Sequence, residues 1–299
     1  MKVIIDTDPG LDDAVAILFA LGAPGFDVQA ITSVAGNIGI TRTTDNALRL
    51  LAVCGANVPV VRGAEGPLAG EGLSEEAIHG ADGLGGVALP APLAKAVPDA
   101  VSFMVAHLMN EPSGSVTILA LAPLTNLALL ARDHPAAFAR LGGIIAMGGT
   151  VHEPGNAGPY AEFNLAADAL AADIVLGAGV PLTLIPLDVT RQFRATPAHL
   201  ADLRAAGTPA ATTAAALIEA YFTGSTRESR PLHDPCVMLL ALAPQIFGTD
   251  PMRLRVDTGD HPGRLVPDNA RPAINVAMRI DAEAARETLW AGLCRPVSR

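Results

Sequence analysis

Four carboxylates stand within one short segment near the start of the chain, Asp6-Thr7-Asp8-Pro9-Gly10-Leu11-Asp12-Asp13. Held together away from water they would repel one another, and a divalent cation removes that repulsion. A hard cation with oxygen ligands suits an all-carboxylate set best. The Pro9-Gly10 turn folds the chain back, so Asp8 at a strand end and Asp13 in the first turn of a helix face one point. Asp6 and Asp8 are two apart and share one face of the strand, which makes Asp6 a support for the site. A plainer role stays open for Asp12 or Asp13, as a helix cap complementing the dipole.

Other polar residues fall at strand ends or loops and carry two readings each. Asn37 after Gly36 is either a ligand contact or a turn residue, and Asn156 beside Gly155 likewise. Glu162 and Asn164 bracket Phe163 just before a helix, where Asn164 could be an N-cap and Phe163 a core residue. His233-Asp234-Pro235 is also an ordinary helix start, with Asp at the cap and Pro at the first position. His79 lies in a Gly-rich loop, where a solvated histidine is the plainer reading. Met147 is followed by two glycines that let the backbone approach a ligand.

These residues need a scaffold, and apolar runs alternating with helical periodicity supply it. Strands are expected at Val3–Ile5, Val28–Val34, Val58–Arg62, Val116–Leu121, Ile144–Met147 and Leu182–Leu187. Helices are expected at Asp12–Leu21, Thr41–Val53, Asp99–Asn110, from Asn126, at Leu165–Gly177, 197–206 and 208–222, and from Asp234-Pro235. Residues 64–92 read as a long loop, and the end from Arg253 as short strands and a helix, Ala282–Leu293. Continuously apolar strands belong to a parallel sheet covered on both faces. The fold class is therefore α/β, one doubly wound, mostly parallel domain over residues 1–299. In such sheets the ligand sits beyond the carboxyl ends of the strands, which is where Asp6, Asp8, Asn37, Gly148-Gly149 and Asp188 fall.

The composition narrows the function class. Half of the 299 residues are hydrophobic and 17% are charged, so disorder is excluded as the main theme. A net charge of −10 gives no global pull toward nucleic acid or anionic lipid. Cys54, Cys236 and Cys294 are three widely spaced thiols without a CxxC, which suits a reducing cytoplasm better than a disulfide framework or a zinc site. The longest uncharged stretch, 112–131, holds Pro123, Thr125 and Asn126 and reads as a strand and a helix, not a membrane span. The short run that follows Lys2 and ends in Asp6 and Asp8 reads as a strand, so a secretory signal is not expected.

The segment Asp6–Ala14 resembles the N-terminal signature of the inosine-uridine-preferring nucleoside hydrolases, and the similarity runs along nearly the whole chain. It continues through Val34-Ala35-Gly36-Asn37, Pro123-Leu124-Thr125-Asn126, Met147-Gly148-Gly149, Asn156 with Ala161-Glu162-Phe163-Asn164, and His233-Asp234-Pro235-Cys236. The resemblance implies hydrolysis of the N-glycosidic bond of purine or pyrimidine ribonucleosides to ribose and free base, by direct displacement with inversion. It implies Ca2+ held by Asp8, Asp13, Asp234 and the backbone carbonyl of Leu121, with Asp8 also the general base. Asp12, Asn37, Asn156, Glu162 and Asn164 would meet the ribose, with Phe163 packed near it and Met147 alongside. His79 would belong to a mobile loop near the base. His233 would stand beside the departing base, an imidazole of near-neutral pKa able to donate a proton. A cytoplasmic homodimer or homotetramer acting on a small nucleoside, with neither nucleic acid nor membrane as partner, completes the expectation.

The chain also departs from the family. Residues 221–230 are short and lack a clear tyrosine where base-contacting aromatics lie, leaving Tyr221 and Arg227 as candidates, and Arg191 stands where relatives often have His. These departures bear on base preference alone. Three rival readings fare worse. A haloacid-dehalogenase-like phosphatase would need a suitably placed lysine and a later acidic pair, and Lys95 is the only lysine after Lys2. A dehydrogenase would need a GxGxxG opening a helix. A non-catalytic ribose-binding protein would have no use for Asp8, Asp13 and Asp234 together.

Overall fold

The run Val3-Ile4-Ile5 is the centre of β1 (Lys2–Thr7), and its side chains alternate between two cores: Val3 and Ile5 join one, Ile4 the other. That is the period-two pattern of a strand covered on both faces. The computed structural model describes residues 1–223 and 226–295. Its strands continue with β2 (Asp27–Ser33), β3 (Val60–Arg62), β4 (Val97–Pro98), β5 (Val116–Ala120), β6 (Gly143–Met147) and β7 (Leu182–Ile185). They end with β8 (Arg194–Ala195), β9 (Arg230–Pro231), β10 (Phe247–Val256), β11 (Leu265–Pro267) and β12 (Ala273–Ile280).

Ten of these described strands form one sheet in the order β11-β10-β12-β7-β6-β5-β1-β2-β3-β4. Neighbours from β12 through to β4 are parallel, and β10 alone runs antiparallel to both β12 and β11. The strand order reverses at β1, with β2 on one side and β5 on the other. A crevice opens at the carboxyl ends where an α/β sheet reverses in this way. The acidic segment leaves β1 at that point.

Helices cover both faces. Leu11–Gly22, Ile40–Cys54, Pro209–Ala220, Pro235–Leu242 and Ala282–Leu293 pack with Val3 and Ile5, and Ala100–Asn110, Thr125–Asp133 and Ala169–Gly177 with Ile4. Each fully buried Val or Ile contributes about 1.5–3 kcal/mol, so this double cover holds the central strands firmly. No helix among the described residues is long and apolar enough to cross a membrane.

Several boundaries differ from the sequence reading. The single helix expected over Leu165–Gly177 is two, Phe163–Ala167 and Ala169–Gly177. Asp168 breaks it: its carboxylate accepts the N–H of Ala171 at 3.0 Å, the N–H of Leu68 at 2.8 Å and the hydroxyl of Thr125 at 2.7 Å. Residues 64–92 contain a helical turn, Glu76–His79. The seventh strand stops at Ile185, and Leu187–Thr190 is already a helical turn. The C-terminal strands are longer than expected, because β10 starts at Phe247 and its exposed, polar outer positions hide the apolar run.

Candidate active site

β1 ends at Thr7, and Asp8-Pro9-Gly10 carries the chain into the helix Leu11–Gly22, whose first turn holds Asp12 and Asp13. All four carboxylates of interest, Asp8, Asp12, Asp13 and Asp234, are buried. Asp13 is the best satisfied: it accepts the Thr7 hydroxyl at 2.7 Å, the Gly10 N–H at 3.0 Å and the Asn37 side-chain amide at 3.0 Å. Asp8 accepts the backbone N–H of Asn37 through Oδ2 at 2.6 Å, while its Oδ1 is buried without a partner. Gly36 is obligatory beside it, since a Cβ there would collide with Asp8 Oδ2. Asp234 enters from the start of the helix Pro235–Leu242.

Oxygens of Asp12, Asp13 and Asp234 all lie within 4.8 Å of one another. Burial, and then the charge of Asp13, lifts Asp8 well above the ordinary carboxylate range. Burial and the neighbouring charges of Asp12, Asp13 and Asp8 do the same to Asp234, and burial with Asp13 pushes Asp12 up to about 7. Carboxylates crowded this way shed charge by taking up protons or by sharing a cation. The donors are all hard oxygens, and the orphaned Oδ1 of Asp8 has lone pairs to give, so the residues present fit a divalent cation of the calcium or magnesium type. Asp12 joins the close carboxylate cluster although the resemblance assigns it to ribose.

A cavity of about 260 Å³ opens over this floor. Asp12, Asn37, His79, Leu121, Met147, Asn156, Glu162, Phe163, Asn164, His233 and Asp234 all line it, and Asp8 and Asp13 are fully enclosed by the protein beside it. Glu162, not Asn164, caps the helix Phe163–Ala167: its carboxylate accepts the N–H groups of Asn164 at 2.9 Å, Gly149 at 2.9 Å and Leu165 at 3.2 Å. Burial nevertheless pushes Glu162 up to about 7. Asn164 is freed for a different task, and its amide donates to the carbonyl of Leu121 at 2.8 Å and that of Met147 at 3.3 Å. Asn156 Oδ1 accepts the N–H of Phe163 at 2.9 Å, which ties the 150s loop to the same helix start. Asp6 accepts from Thr32 at 2.5 Å and Asn126 at 2.8 Å, bracing β1 against its neighbours. Asp188 accepts the N–H groups of Val151 and His152 at 2.8 and 2.7 Å and so shapes that loop from below.

The histidines differ from the sequence reading. His79 is buried, not solvated; its Nδ1 accepts the N–H of Leu11 at 3.0 Å, and burial pushes its pKa down to about 4. Its ring stacks on Tyr221, with centroids 6.2 Å apart, and Arg230 lies over the other ring at 5.0 Å. Tyr221 is thus the cavity tyrosine that the short 221–230 segment obscures; Gly224 and Ser225 of that segment lie outside the described residues. His233 shares a 2.7 Å hydrogen bond between Nδ1 and the Thr190 hydroxyl. Burial first, then the charges of Arg191 and Arg194, push it down to about 3, so it is a neutral imidazole rather than one poised near neutrality.

Arg191 and Arg227 line the cavity as well, and so do Glu75, Ile78, Leu187, Arg194, Arg230 and Pro231, which the sequence does not single out. Glu75 and Ile78 sit in the long loop, where nothing in the spacing marks them. Arg194 and Arg230 arrive on a separate two-stranded ribbon, β8 with β9, whose strands are too short to announce themselves.

The chain is similar to known proteins along nearly its whole length. The sequence profile of the family described as inosine-uridine preferring nucleoside hydrolase matches residues 3–287. The pyrimidine-specific ribonucleoside hydrolase RihA of Citrobacter koseri is 39% identical over 270 residues, covering 86% of this chain and 84% of that protein. The solved structure of a purine-preferring ribonucleoside hydrolase from Gardnerella vaginalis superposes with a TM-score of 0.92 at 30% identity, covering 98% of each chain. A plant nucleoside hydrolase, PpNRh1, gives a TM-score of 0.89 at 33% identity over 99% of each.

Proposed function

The chain belongs to the inosine-uridine preferring nucleoside hydrolase family, and we propose from this that it cleaves purine or pyrimidine ribonucleosides with Asp8 as general base and Ca2+ as cofactor. The activity of that family is hydrolysis of the N-glycosidic bond of ribonucleosides. Asp8, Asp13, Asp234 and the carbonyl of Leu121 would hold the ion, with Asp12 close enough to share it. A bound divalent cation lowers the pKa of its water and orients ribose hydroxyls.

The rest is done by the chain's own side chains. Asp8 takes the proton of the attacking water, whose oxygen bonds to C1′ as the C1′–N bond breaks and its electron pair leaves with the base. A buried carboxylate with one oxygen free of hydrogen bonds is suited to that task. Asn37, Asn156, Glu162 and Asn164 line the cavity where ribose would lie, Phe163 packs beside it, and Met147 contributes backbone. Asn37 and Asn164 are already fixed by bonds to Asp8, Asp13 and Leu121, so little rotamer freedom is lost on binding. His79 and His233 face the same cavity as neutral imidazoles: His79 would offer its Nε2–H to a departing base, and His233 would do so in the tautomer that accepts the Thr190 hydroxyl at Nδ1.

The observation that carries this reading is the orphaned Oδ1 of Asp8 beside the three clustered carboxylates. The test is Asp8→Asn, nearly isosteric: ribose release should fall by at least about 10²-fold with the fold retained. Undiminished release would remove Asp8 from the chemistry. The free thiols Cys54, Cys236 and Cys294 suit the cytoplasm, and a homodimer or homotetramer is the assembly that the resemblance implies. RihA and the Gardnerella enzyme carry opposite base preferences in their names, so base preference is left to the further residues of the cavity.

A further inference from the structure

Residues 121–124 join β5 to the helix Thr125–Asp133, and the turn they make is fastened to Asp6 at both ends. At its start the N–H of Leu121 donates to the main-chain carbonyl of Asp6 at 2.8 Å. At its end the side-chain amide of Asn126, in the first turn of the helix, donates to Oδ1 of the Asp6 carboxylate, also at 2.8 Å. The carbonyl of Leu121 itself accepts from the Asn164 amide at 2.8 Å and belongs to the cavity. Asp6 and Asn126 are wholly buried and line none of that cavity, so neither is in a position to touch a nucleoside.

Asn126 does more than meet Asp6. Its amide nitrogen also donates to the carbonyl of Ser33, the last residue of β2, at 3.1 Å, and its Oδ1 accepts the N–H of Ala64, just past β3, at 2.9 Å. Both its donors and its acceptor are engaged, which fixes the carboxamide in one orientation. Gly63 leaves the room for it, since a Cβ there would overlap both polar atoms of that carboxamide. One side chain thus ties the carboxyl ends of β1, β2 and β3 to the turn after β5, at the place where the strand order reverses. The residues that continue from those ends build the floor of the site: Asp8 follows β1, Asn37 follows β2, and the two meet at 2.6 Å. Thr32 provides a contrast. Its hydroxyl donates to the same Asp6 Oδ1 at 2.5 Å, but from within β2, where Thr32 and Asp6 already stand opposite each other in the main-chain ladder.

We propose that Asn126 is a positioning residue for the metal centre: through Asp6 it holds the turn that presents the Leu121 carbonyl, and with it the ion's ligands, in binding geometry. This rests on the calcium-dependent hydrolase reading of the same site. A carbonyl on a turn fastened at both ends has little freedom left to lose when a cation joins it. With the Asn126 end released, the turn is held to Asp6 by the Leu121 N–H alone, and ordering the carbonyl again opposes binding. Contacts one step removed from the ligands typically change metal affinity by about 10- to 100-fold.

The experiment measures Ca2+ affinity by calorimetry on the whole protein without nucleoside, beside urea stability of the calcium-free protein, for Asn126→Ala and Thr32→Val. Both exchanges leave the net charge unchanged, so a loss of affinity cannot come from charge. Each removes a hydrogen bond to Asp6 Oδ1, and only Asn126 brings that bond from the turn. Both variants should lose stability. Asn126→Ala should also raise the Kd for Ca2+ by about tenfold or more, while Thr32→Val should keep the parent's value. A contact that only holds the fold together would lower stability and leave the Kd of the folded protein where it was. A parent-like Kd in Asn126→Ala, or an equal loss of affinity in Thr32→Val, therefore overturns the proposal and leaves the hydrolase reading intact. If the parent itself binds no Ca2+, the calcium reading fails and the proposal falls with it. Should Asn126→Ala not fold, Asn126→Ser, which shortens the side chain but keeps a polar group in the buried space, is measured in its place against the same outcomes.

Discussion

The backbone N–H of Leu11 donates to Nδ1 of His79 at 3.0 Å, across 68 residues of sequence. An imidazole that accepts at Nδ1 and is held neutral by burial must carry its proton on Nε2. The first residue of the helix that bears Asp12 and Asp13 therefore sets the tautomer of a cavity histidine. His79→Ala would leave that buried N–H unpaired and lower the free energy of unfolding by about 1–3 kcal/mol, read by urea denaturation. KM for nucleosides should rise in the same variant. Unchanged stability would mean that the Leu11 N–H finds another acceptor.

His233 tests how the base leaves. As a neutral imidazole it offers a hydrogen bond, not a positive charge, and bases differ in how much they need one. His233→Ala should cost up to about 10²–10⁴ in kcat on bases that depart with localised negative charge, and far less on others. Equal losses on every base would remove His233 from leaving-group activation.

Glu162 makes a prediction about stability and pH. Its folded pKa, about 7, lies above that of a carboxyl in the unfolded chain. A raised pKa means that the folded state binds more protons between the two values, so stability is full below the unfolded pKa and is lost as pH rises through about 7. Urea unfolding from about pH 5 to 8 should show the parent losing stability relative to Glu162→Gln as pH rises. A difference that is flat, or of opposite slope, contradicts the account.

Much of the scaffold is legible in the sequence because β1, β5, β6 and β7 are buried on both faces, and burial writes itself as an unbroken apolar run. The acidic segment is legible because four carboxylates around one Pro-Gly turn have few other uses. What is hidden depends on contacts far apart in sequence. Asp168 breaks a helix by bonding to Leu68 and Thr125, and no local propensity foretells that. His79 reads as a solvated loop residue until the Gly-rich loop is seen to lie against the helix Leu11–Gly22. Arg194 and Arg230 are brought to the cavity by a two-stranded ribbon of two residues per strand, below the length at which alternation is visible.

The most direct measurement is ribose release from a panel of purine and pyrimidine ribonucleosides, without phosphate, before and after chelation. The account predicts release that needs no phosphate, stops when the divalent cation is removed and returns when Ca2+ is restored. Release that is indifferent to chelation would contradict the role given to Asp8, Asp13 and Asp234 as ligands. No release from any compound, by folded protein with Ca2+ bound, would contradict the hydrolase reading itself.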